Sequence, residues 1–337
     1  MNPNVAVIVI CYNDAGRLPR AVASATAQSL ANLEVIIVDD CSTDDTGQVA
    51  ARLAARDPRI RYHRLPANSG GCSAPRNAGI ELARAPYLMF LDSDDALPRD
   101  ACESLMRVLD ETGADFVTSR VERYYEFENT TKWWYQNLFR ERRVIEGIRA
   151  APEYLFDHLS TNKMYRRDFI ERHQLRFPLG VHWEDQLWSA QAYCLAHRFA
   201  VAPWPGYKWW HAGEGTSISS STQSLTGLAD RITVAKLVDD FLTASDHADL
   251  RVDKDFKFLR HDLKIYLTEL GSVDLDWIER FAALVVPYLD QLDPAAYLRL
   301  NRAERVCVHL LRRGRLAEAA EASLQVVRPE RPPRLTT

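Results

Sequence analysis

The sequence has no hydrophobic run that approaches the roughly 18 apolar residues of a membrane-spanning helix. Met1 leads directly into a strand-like apolar segment at residues 5–10, without the basic start, long apolar stretch and small-residue cleavage site of a signal peptide. These absences predict a cytoplasmic protein. Peripheral association with the inner face of the cell membrane remains open, because it needs no apolar span.

Paired or clustered cysteines are also missing. The six cysteines, at positions 11, 41, 72, 102, 194 and 307, form no CxxC pair and no tight Cys/His cluster of the kind that holds zinc. We expect reduced core or loop thiols, because disulfides are rare in the cytosol.

Excess positive charge is absent. The chain has 42 Lys and Arg against 46 Asp and Glu, which gives a formal net charge of -4. No global positive field would draw it to nucleic acid, so we predict no nucleic-acid partner. Any attraction to an anionic polymer or membrane must be local.

What is present is a long chain with regular α/β alternation. Its 337 residues, 47% of them apolar, exceed one ordinary domain. Apolar periodicity predicts strands at residues 5–10, 34–38, 60–64, 87–91 and 115–121. It predicts helices near residues 18–25, 45–56, 74–84 and 100–112, with Ser42 or Thr43 as the N-cap of the second. This alternation is typical of a largely parallel sheet flanked by helices.

The second part of the chain differs in pattern. Aromatic residues are dense at about 124–138 and from Trp204 to Trp210, and a Gly/Ser-rich segment occupies 212–222. From about 225 onward the pattern is mainly helical, with two short helices about Gly314 and a Pro/Arg-rich tail. We therefore predict two regions, a catalytic domain at 1–224 and a helical region at 225–337 for acceptor docking or self-association.

Two acidic clusters follow buried strands. Asp39 and Asp40 follow the strand at 34–38, and Asp92-Ser93-Asp94-Asp95 follows the strand at 87–91. Ligands of open α/β sheets bind at the carboxyl ends of strands, so the clusters are expected to share one cleft. Hard carboxylate ligands suit Mn²⁺ or Mg²⁺, which can bridge the two phosphates of a sugar nucleotide. A solvated acidic turn before the next helix explains the second cluster equally well by itself.

Four linked segments favour the metal interpretation. They are Val5 to Asn13 (VAVIVICYN), Val35 to Thr46 (VIIVDDCSTDDT), Asn68 to Gly79 (NSGGCSAPRNAG) and Phe90 to Asp95 (FLDSDD). Their order and spacing resemble the donor-binding half of the family-2 GT-A glycosyltransferases. The resemblance implies a GT-A, Rossmann-like fold, a UDP-sugar donor and a divalent metal. Ile10-Cys11 and Pro75 depart from the usual family pattern, but neither departure removes a catalytic group.

The resemblance also implies roles for single residues. Tyr12 would lie against the uracil ring, Asp40 would accept a hydrogen bond from the base, and Arg76 would reach the phosphate or ribose region. Asp92 would contact ribose or metal-bound water, and Asp94 would hold the metal. The remaining donor-binding candidates in these motifs are Asn68 and Ser93. The structural alternatives are a core residue for Tyr12 and an exposed helix charge for Arg76.

The catalytic base is expected about ninety residues after the acidic motif. Trp183-Glu184-Asp185-Gln186 precedes an apolar helix, where the family places its base. Asp185 is the predicted general base and Glu184 the residue that orients the acceptor. An acidic pair at a helix N-terminus is the structural alternative.

His211 precedes the Gly/Ser-rich segment, which is positioned like the loop that closes over the diphosphate in related enzymes. It is a candidate for completing the metal shell or for contacting phosphate, and Ser217 and Ser219 are weaker phosphate-binding candidates. A structural histidine is the competing interpretation.

The predicted reaction is inverting transfer of a sugar, with UDP-N-acetylhexosamine as one donor candidate, to a hydroxyl-bearing acceptor. Length, the Trp-Glu-Asp motif and the helical tail resemble bacterial cell-envelope polymer transferases, including N-acetylhexosaminyl transferases that act on teichoic acids. A small-molecule acceptor and a homo-oligomer remain open. Two alternatives are a non-catalytic sugar-nucleotide-binding or assembly protein and a nucleotidyltransferase. The second is disfavoured because Asn13 to Arg17 poorly match a phosphate-cradling loop.

Overall fold

The computed structural model describes residues 2–133, 135–211 and 224–326. The chain divides into two compact units, Met1–Glu214 and Gly215–Thr337. Each unit has its own hydrophobic core. The predicted loop residues Ser217 and Ser219, and the tail beyond 326, lie outside the described residues.

The first unit is built on one mixed sheet, which has nine strands within the described residues. The strands are β1 (Val5–Cys11), β2 (Leu33–Asp39), β3 (Ile60–Arg64), β4 (Tyr87–Asp92), β5 (Phe116–Tyr125), β6 (Thr130–Trp133), β7 (Arg143–Ile145), β8 (Lys163–Arg166) and β9 (Phe199–His211). Their order is β3-β2-β1-β4-β8-β5-β9-β7, with β6 paired to β5. The segment β3-β2-β1-β4 is parallel, whereas β8 runs antiparallel to both neighbours.

In the part of the first unit that the structure describes, six α-helices accompany these strands. They are α1 (Leu18–Thr26), α2 (Thr46–Arg56), α3 (Ser73–Leu82), α4 (Ala101–Thr112), α5 (Arg167–Arg172) and α6 (Asp185–Leu195). Short 3₁₀ turns cover Gln136–Leu138, Ile148–Ala150 and Pro152–Phe156. Strands β1 and β2 are buried at every residue, as expected for central parallel strands covered on both faces.

The strands and helices predicted through residue 121 are all present, with ends that differ by a few residues. The proposed cap of the second helix was wrong. Helix α2 begins at Thr46, with Asp45 at its N-cap. Ser42 instead donates its hydroxyl to Asp39 at 2.5 Å, because it belongs to the turn that leaves β2. The aromatic stretch from Trp204 to Trp210 forms the second half of β9.

The second unit is helical in its described part, as predicted. Its α-helices are α7 (Leu225–Ala244), α8 (Arg251–Lys257), α9 (Lys264–Leu267), α10 (Leu275–Leu289), α11 (Pro294–Leu298), α12 (Arg302–Arg312) and α13 (Leu316–Ser323). A π-helical turn at Phe258–Asp262 joins α8 to α9. Helices α12 and α13 flank Gly314, whose φ of 68° lies in the left-handed region that glycine tolerates best.

Across the described residues, none of the helices combines the length and apolar character needed to cross a membrane. The six cysteines are all unpaired, in agreement with the sequence pattern.

Candidate active site

The two acidic clusters lie at the same edge of the sheet. In the parallel register, Cys11 of β1 pairs with Asp39 of β2, and Ile10 pairs with Asp92 of β4. The turns that leave β1, β2 and β4 therefore emerge side by side. This is the edge at which ligands of α/β sheets bind.

Asp40 is held by the loop that precedes α3. Its carboxylate accepts hydrogen bonds from the Asn68 side chain at 3.0 Å, the Ser69 hydroxyl at 2.9 Å and the Ser69 amide at 3.0 Å. Burial, assisted by the negative charge of Asp39, raises the pKa of Asp40. These hydrogen bonds join the second sequence motif, which contains Asp40, to the third motif, which contains Asn68 and Ser69. A nucleobase that donates a hydrogen bond to Asp40 would bind beside these donors or displace one of them.

Tyr12 follows β1 and is 46% exposed, so it is not a core residue. The ring is accessible to a ligand at the strand edge. Asn13, beside it, has a φ of 47° and accepts a hydrogen bond from the Thr43 amide at 2.8 Å. The turn after β1 is thereby joined to the turn after β2.

The residues of the 92–95 motif have separate surroundings. Ser93 is buried and donates its hydroxyl to Asp14 at 2.6 Å, so this hydroxyl supports the turn after β1. Asp95 is buried and accepts from the Tyr207 hydroxyl at 2.6 Å and the Trp210 amide at 2.7 Å. These bonds fasten the motif to β9. The carboxylates of Asp92 and Asp94 remain partly exposed.

Asp94 has the environment of a cation ligand. Its side chain is 36% exposed and its nearest charged partner is Arg17, at 3.4 Å. Partial burial and the negative charge of Asp92 raise its pKa to about 6, against the opposing effect of Arg17. A divalent cation would relieve this excess negative charge, and carboxylate oxygen is its preferred ligand. The carboxylate chemistry present thus fits Mn²⁺ or Mg²⁺, and the role of Asp94 as the metal ligand stays a prediction.

Arg76 joins the acidic motif to the predicted base. It is 2% exposed, so the interpretation as an exposed helix charge was wrong. One terminal nitrogen donates to Asp92 at 2.9 Å, and the other donates to Glu184 at 2.8 Å and Asp185 at 2.7 Å. Its direct partners are therefore carboxylates of the site. The donor contact inferred from the resemblance stays a prediction.

Glu184 and Asp185 differ in burial. The Glu184 side chain is 9% exposed and that of Asp185 is 18% exposed. Burial raises the pKa of Glu184 to about 7, although Arg76 opposes the rise. Asp185, the first residue of α6, also accepts a hydrogen bond from the Ser160 hydroxyl at 2.9 Å. The more accessible of the two carboxylates is thus the one predicted to be the base.

His211 ends β9, with its ring stacked on Tyr125 at 4.7 Å between centroids and tilted against Trp209 at 4.7 Å. Burial and the charge of Arg123 lower its pKa to about 4, so the ring is neutral at physiological pH. Its buried Nε2 has no hydrogen-bond partner within the described residues. Over that same part of the chain, no three or more His, Cys, Asp and Glu side chains form a metal-binding group. The metal role of His211 therefore stays a prediction.

Several residues of the site were not singled out from the sequence. Ser160 contacts Asp185, and Asp14 and Arg17 connect Ser93 to Asp94. Arg20 donates to the Asp94 carbonyl and lies 4.1 Å from the centre of the Trp210 ring. A polar turn at residues 13–17 directly after a buried strand was a usable signal for Asp14 and Arg17. Nothing comparable marks Ser160.

The mixed sheet, its flanking helices and the carboxylate site at the strand edge define an α/β domain of the GT-A class. The family model described as glycosyl transferase family 2 matches residues 6–174, half of the chain. The chain belongs to this family.

The chain is also similar to several bacterial glycosyltransferases. It is 34% identical over 212 residues to the putative glycosyltransferase EpsH of Bacillus subtilis, covering 61% of this chain and 60% of the relative. It is 29% identical over 200 residues to the poly(ribitol-phosphate) beta-N-acetylglucosaminyltransferase TarP of Staphylococcus aureus, covering 58% of this chain and 59% of TarP. The similarity thus spans about three fifths of these relatives.

A solved structure of S. aureus TarS residues 1–349 in complex with UDP-GlcNAc resembles this chain with a TM-score of 0.79. The match covers 95% of this chain and 90% of that one, at 22% identity. It therefore establishes a shared fold.

Proposed function

We propose that this chain is an inverting glycosyltransferase that moves a sugar from a UDP-sugar to an acceptor hydroxyl. The observation that carries the proposal is the Arg76 cluster. One buried guanidinium joins Asp92, the first residue of the acidic motif, to Glu184 and Asp185 at the N-terminus of α6. The groups assigned to the donor side and to the acceptor side thus form one connected site.

Asp185 is the proposed general base. The acceptor hydroxyl loses its proton to the Asp185 carboxylate while its oxygen attacks the anomeric carbon. The bond from this carbon to the diphosphate oxygen breaks, and its electron pair leaves with UDP. Attack on the face opposite UDP inverts the configuration and requires no covalent sugar-enzyme intermediate. Glu184, with its pKa raised to about 7, lies beside the base as the proposed acceptor-orienting group.

Asp94 is the proposed ligand of Mn²⁺ or Mg²⁺. When bound, such a cation stabilises the charge that develops on a leaving diphosphate. Arg76 holds Asp92 on the side of the site that contains the proposed catalytic base, Asp185. Asp92 is proposed to contact ribose or water from there.

The donor side is proposed to bind the nucleotide through Tyr12 and Asp40. The exposed Tyr12 ring offers a stacking face, and the loop at Asn68 and Ser69 positions the Asp40 carboxylate for the base. Ser93 is proposed to act indirectly, because its hydroxyl is committed to Asp14. UDP-N-acetylglucosamine is the first donor to test, since TarS binds it and TarP is named for that sugar.

A cell-envelope glycopolymer is the proposed acceptor class, by analogy with the poly(ribitol-phosphate) in the name of TarP. The helical region 225–337 is proposed to dock this acceptor or to mediate self-association, because the donor and base motifs are complete before it begins. We propose a cytoplasmic location, at the inner face of the membrane if the acceptor is carried there.

The deciding experiment is calorimetry with a panel of nucleotide sugars in Mn²⁺, followed by measurement of UDP release with envelope-polymer acceptors. We expect one UDP-sugar to bind and to be consumed with release of UDP. Release of pyrophosphate would identify a nucleotidyltransferase instead. Donor binding without turnover across a broad acceptor panel would favour a sugar-nucleotide-binding protein.

Substitution of the base provides the second test. Asp185→Asn should keep donor affinity and lower turnover by at least about 100-fold, the lower range for loss of a positioned general base. Near-normal turnover in this variant would assign the base to another residue.

A further inference from the structure

A buried loop lies directly behind the proposed base. Residues 157–163 run from the end of the 3₁₀ turn Pro152–Phe156 to the first residue of β8, Lys163. Asp157, Ser160, Asn162 and Lys163 are each 0% exposed. Connecting segments usually lie at the surface, because their backbone polar groups need water or other partners. A loop buried to this degree requires a dedicated set of internal hydrogen bonds.

An ion pair anchors the two ends of this loop. Lys163 lies 2.9 Å from the Asp157 carboxylate, which also accepts from the Tyr193 hydroxyl at 2.6 Å and the Thr118 hydroxyl at 2.5 Å. Burying two charges costs more than a well-packed apolar pair would. Here the arrangement holds the intervening residues in one conformation.

A second set of bonds ties the loop to the sheet. The Asn162 side chain donates to the Ser119 carbonyl at 2.8 Å, and the Ser119 amide donates back to the Asn162 carbonyl at 2.9 Å. Tyr165 donates its hydroxyl to the Ser160 carbonyl at 3.2 Å. The backbone is therefore held in place both before and after Ser160.

Ser160 presents two donors to Asp185. Its hydroxyl donates to Oδ1 at 2.9 Å and its amide donates to Oδ2 at 3.2 Å. Oδ1 also accepts from Arg76 at 2.7 Å. Within the described part of the chain, Oδ1 thus has two side-chain donors, whereas Oδ2 has only the longer bond from the amide.

We infer that Ser160 is a positioning residue that orients Asp185 for proton transfer at Oδ2. The inference rests on the proposed function of Asp185 as the base. By occupying Oδ1 together with Arg76, Ser160 leaves Oδ2 as the oxygen with a lone pair for the acceptor hydroxyl. The O–H bond of the acceptor breaks, a bond from Oδ2 to the proton forms, and the acceptor oxygen retains the electron pair for attack on the anomeric carbon.

Ser160→Ala tests this inference, with Ser189→Ala as its matched control. Ser189 lies on α6, is 2% exposed and donates its hydroxyl to the His158 carbonyl of the same loop at 2.9 Å, without a hydrogen bond to Asp185. Ser160→Ala should lower kcat about 10-fold while KM and Kd for the UDP-sugar stay at the wild-type values. Ser189→Ala should leave kcat within about 2-fold of wild type. This control distinguishes the loss of the Ser160–Asp185 hydrogen bond from a general loosening of the loop.

A double-mutant cycle adds a readout that a purely structural role would not change. In the Asp185→Asn background, Ser160→Ala should have little further effect on kcat, because the group that it positions is already disabled. Equal fold-losses from Ser160→Ala in both backgrounds, or wild-type kcat in Ser160→Ala, would overturn the inference. If Ser160→Ala does not fold, Ser160→Cys retains the volume with a weaker donor and should show a smaller loss of kcat.

Crystal structures of the wild type and the two alanine variants separate this inference from the proposed function. A wild type that releases no UDP with any donor and acceptor contradicts the function, but the orientation of Asp185 can still be measured. The Asp185 carboxylate should rotate away from its wild-type position in Ser160→Ala and keep it in Ser189→Ala. An unmoved Asp185 carboxylate in Ser160→Ala would refute the positioning role independently of activity.

Discussion

Four carboxylates and one buried guanidinium form the centre of the site. Asp92, Glu184 and Asp185 share Arg76, whereas the Asp94 carboxylate is paired, among the described residues, with the more distant Arg17. Negative charge therefore exceeds positive charge around the cluster. Burial, assisted by this excess of negative charge, raises the pKa values of Asp94 and Glu184.

Asp94→Ala should abolish metal-dependent turnover and weaken binding of UDP in Mn²⁺ much more than in EDTA. The reason is that the cation would connect this carboxylate to the diphosphate. Calorimetry of UDP binding, with and without Mn²⁺, measures the effect. Equal affinity of the wild type and the variant under both conditions would refute the assignment of Asp94.

Glu184→Gln should change how stability depends on pH. The pKa of Glu184 is raised from 4.5 to about 7, so the folded state binds its proton more tightly than the unfolded state does. The free energy of unfolding of the wild type therefore falls as pH rises through this window, by at most on the order of 3 kcal/mol.

The glutamine side chain does not titrate in this range. The free energy of unfolding of the variant, relative to that of wild type, should therefore rise from pH 4.5 to pH 8. A change in the hydrogen bond with Arg76 that does not depend on pH shifts the whole curve equally, which makes the slope with pH the diagnostic quantity. Urea unfolding of both proteins across this range provides the measurement. A difference in unfolding free energy that is constant with pH would contradict the raised pKa.

Among the secondary-structure elements, α3 lies especially close to the sheet. A Cβ added at Gly79 would lie 2.2 Å from the Cγ2 atom of Ile8 in β1. Helix α3 also carries Arg76. The absence of a side chain at position 79 thus permits the packing distance that brings Arg76 to the strand edge.

Gly79→Ala should destabilise the first unit by up to about 2 kcal/mol. Overpacking typically costs ~1–3 kcal/mol, which exceeds the gain of about 1 kcal/mol from alanine in a helix. Thermal or urea unfolding measures the change. Gly16→Ala is the control, because an added Cβ there meets nothing within 4 Å. Equal stability of the two variants would show that α3 can move away from β1 without cost.

At the scale of the whole molecule, the net charge of -4 conceals local basic surfaces. In the second unit, Arg305 and Arg313 are exposed, whereas Arg312 pairs with Asp290. The apolar residues of α12 and α13 are largely used within the unit, since Leu310, Leu311 and Ala319 belong to its core. Deleting residues 300–337 would remove part of this core, so point variants are the better test of the region.

The double variant Arg305→Gln with Arg313→Gln should raise KM for an anionic polymer acceptor several-fold and leave Kd for the UDP-sugar unchanged. Added salt should shrink the difference from wild type, because it screens exposed charges. Arg280→Gln with Arg312→Gln is the matched control, since it removes the same charge from arginines that are ion-paired. Equal effects of the two double variants would exclude a specific docking role.

Light scattering of the same proteins tests self-association. A change in molar mass in the Arg305 and Arg313 variant would assign these residues to a subunit contact rather than to acceptor docking. An unchanged mass together with a raised acceptor KM would support docking.

The sequence by itself determined the elements and the order of the motifs. Apolar runs such as residues 5–10 and 34–38 predict buried strands, and polar residues directly after them predict the ligand-binding edge. These features are local, because side-chain periodicity and turn chemistry act over a few residues. The family resemblance and the GT-A fold followed from that order, and both were confirmed.

Only the tertiary structure decided how the charged side chains are paired. Arg76 meets Glu184 and Asp185 across 108 and 109 residues of chain, and Ser160 meets Asp185 across 25. No local pattern specifies such contacts, because they depend on how α3, α6 and the 157–163 loop pack around one sheet. The same packing buries Arg76, for which the sequence had left an exposed helix charge as the alternative. It exposes Tyr12, for which the sequence had left a core residue as the alternative.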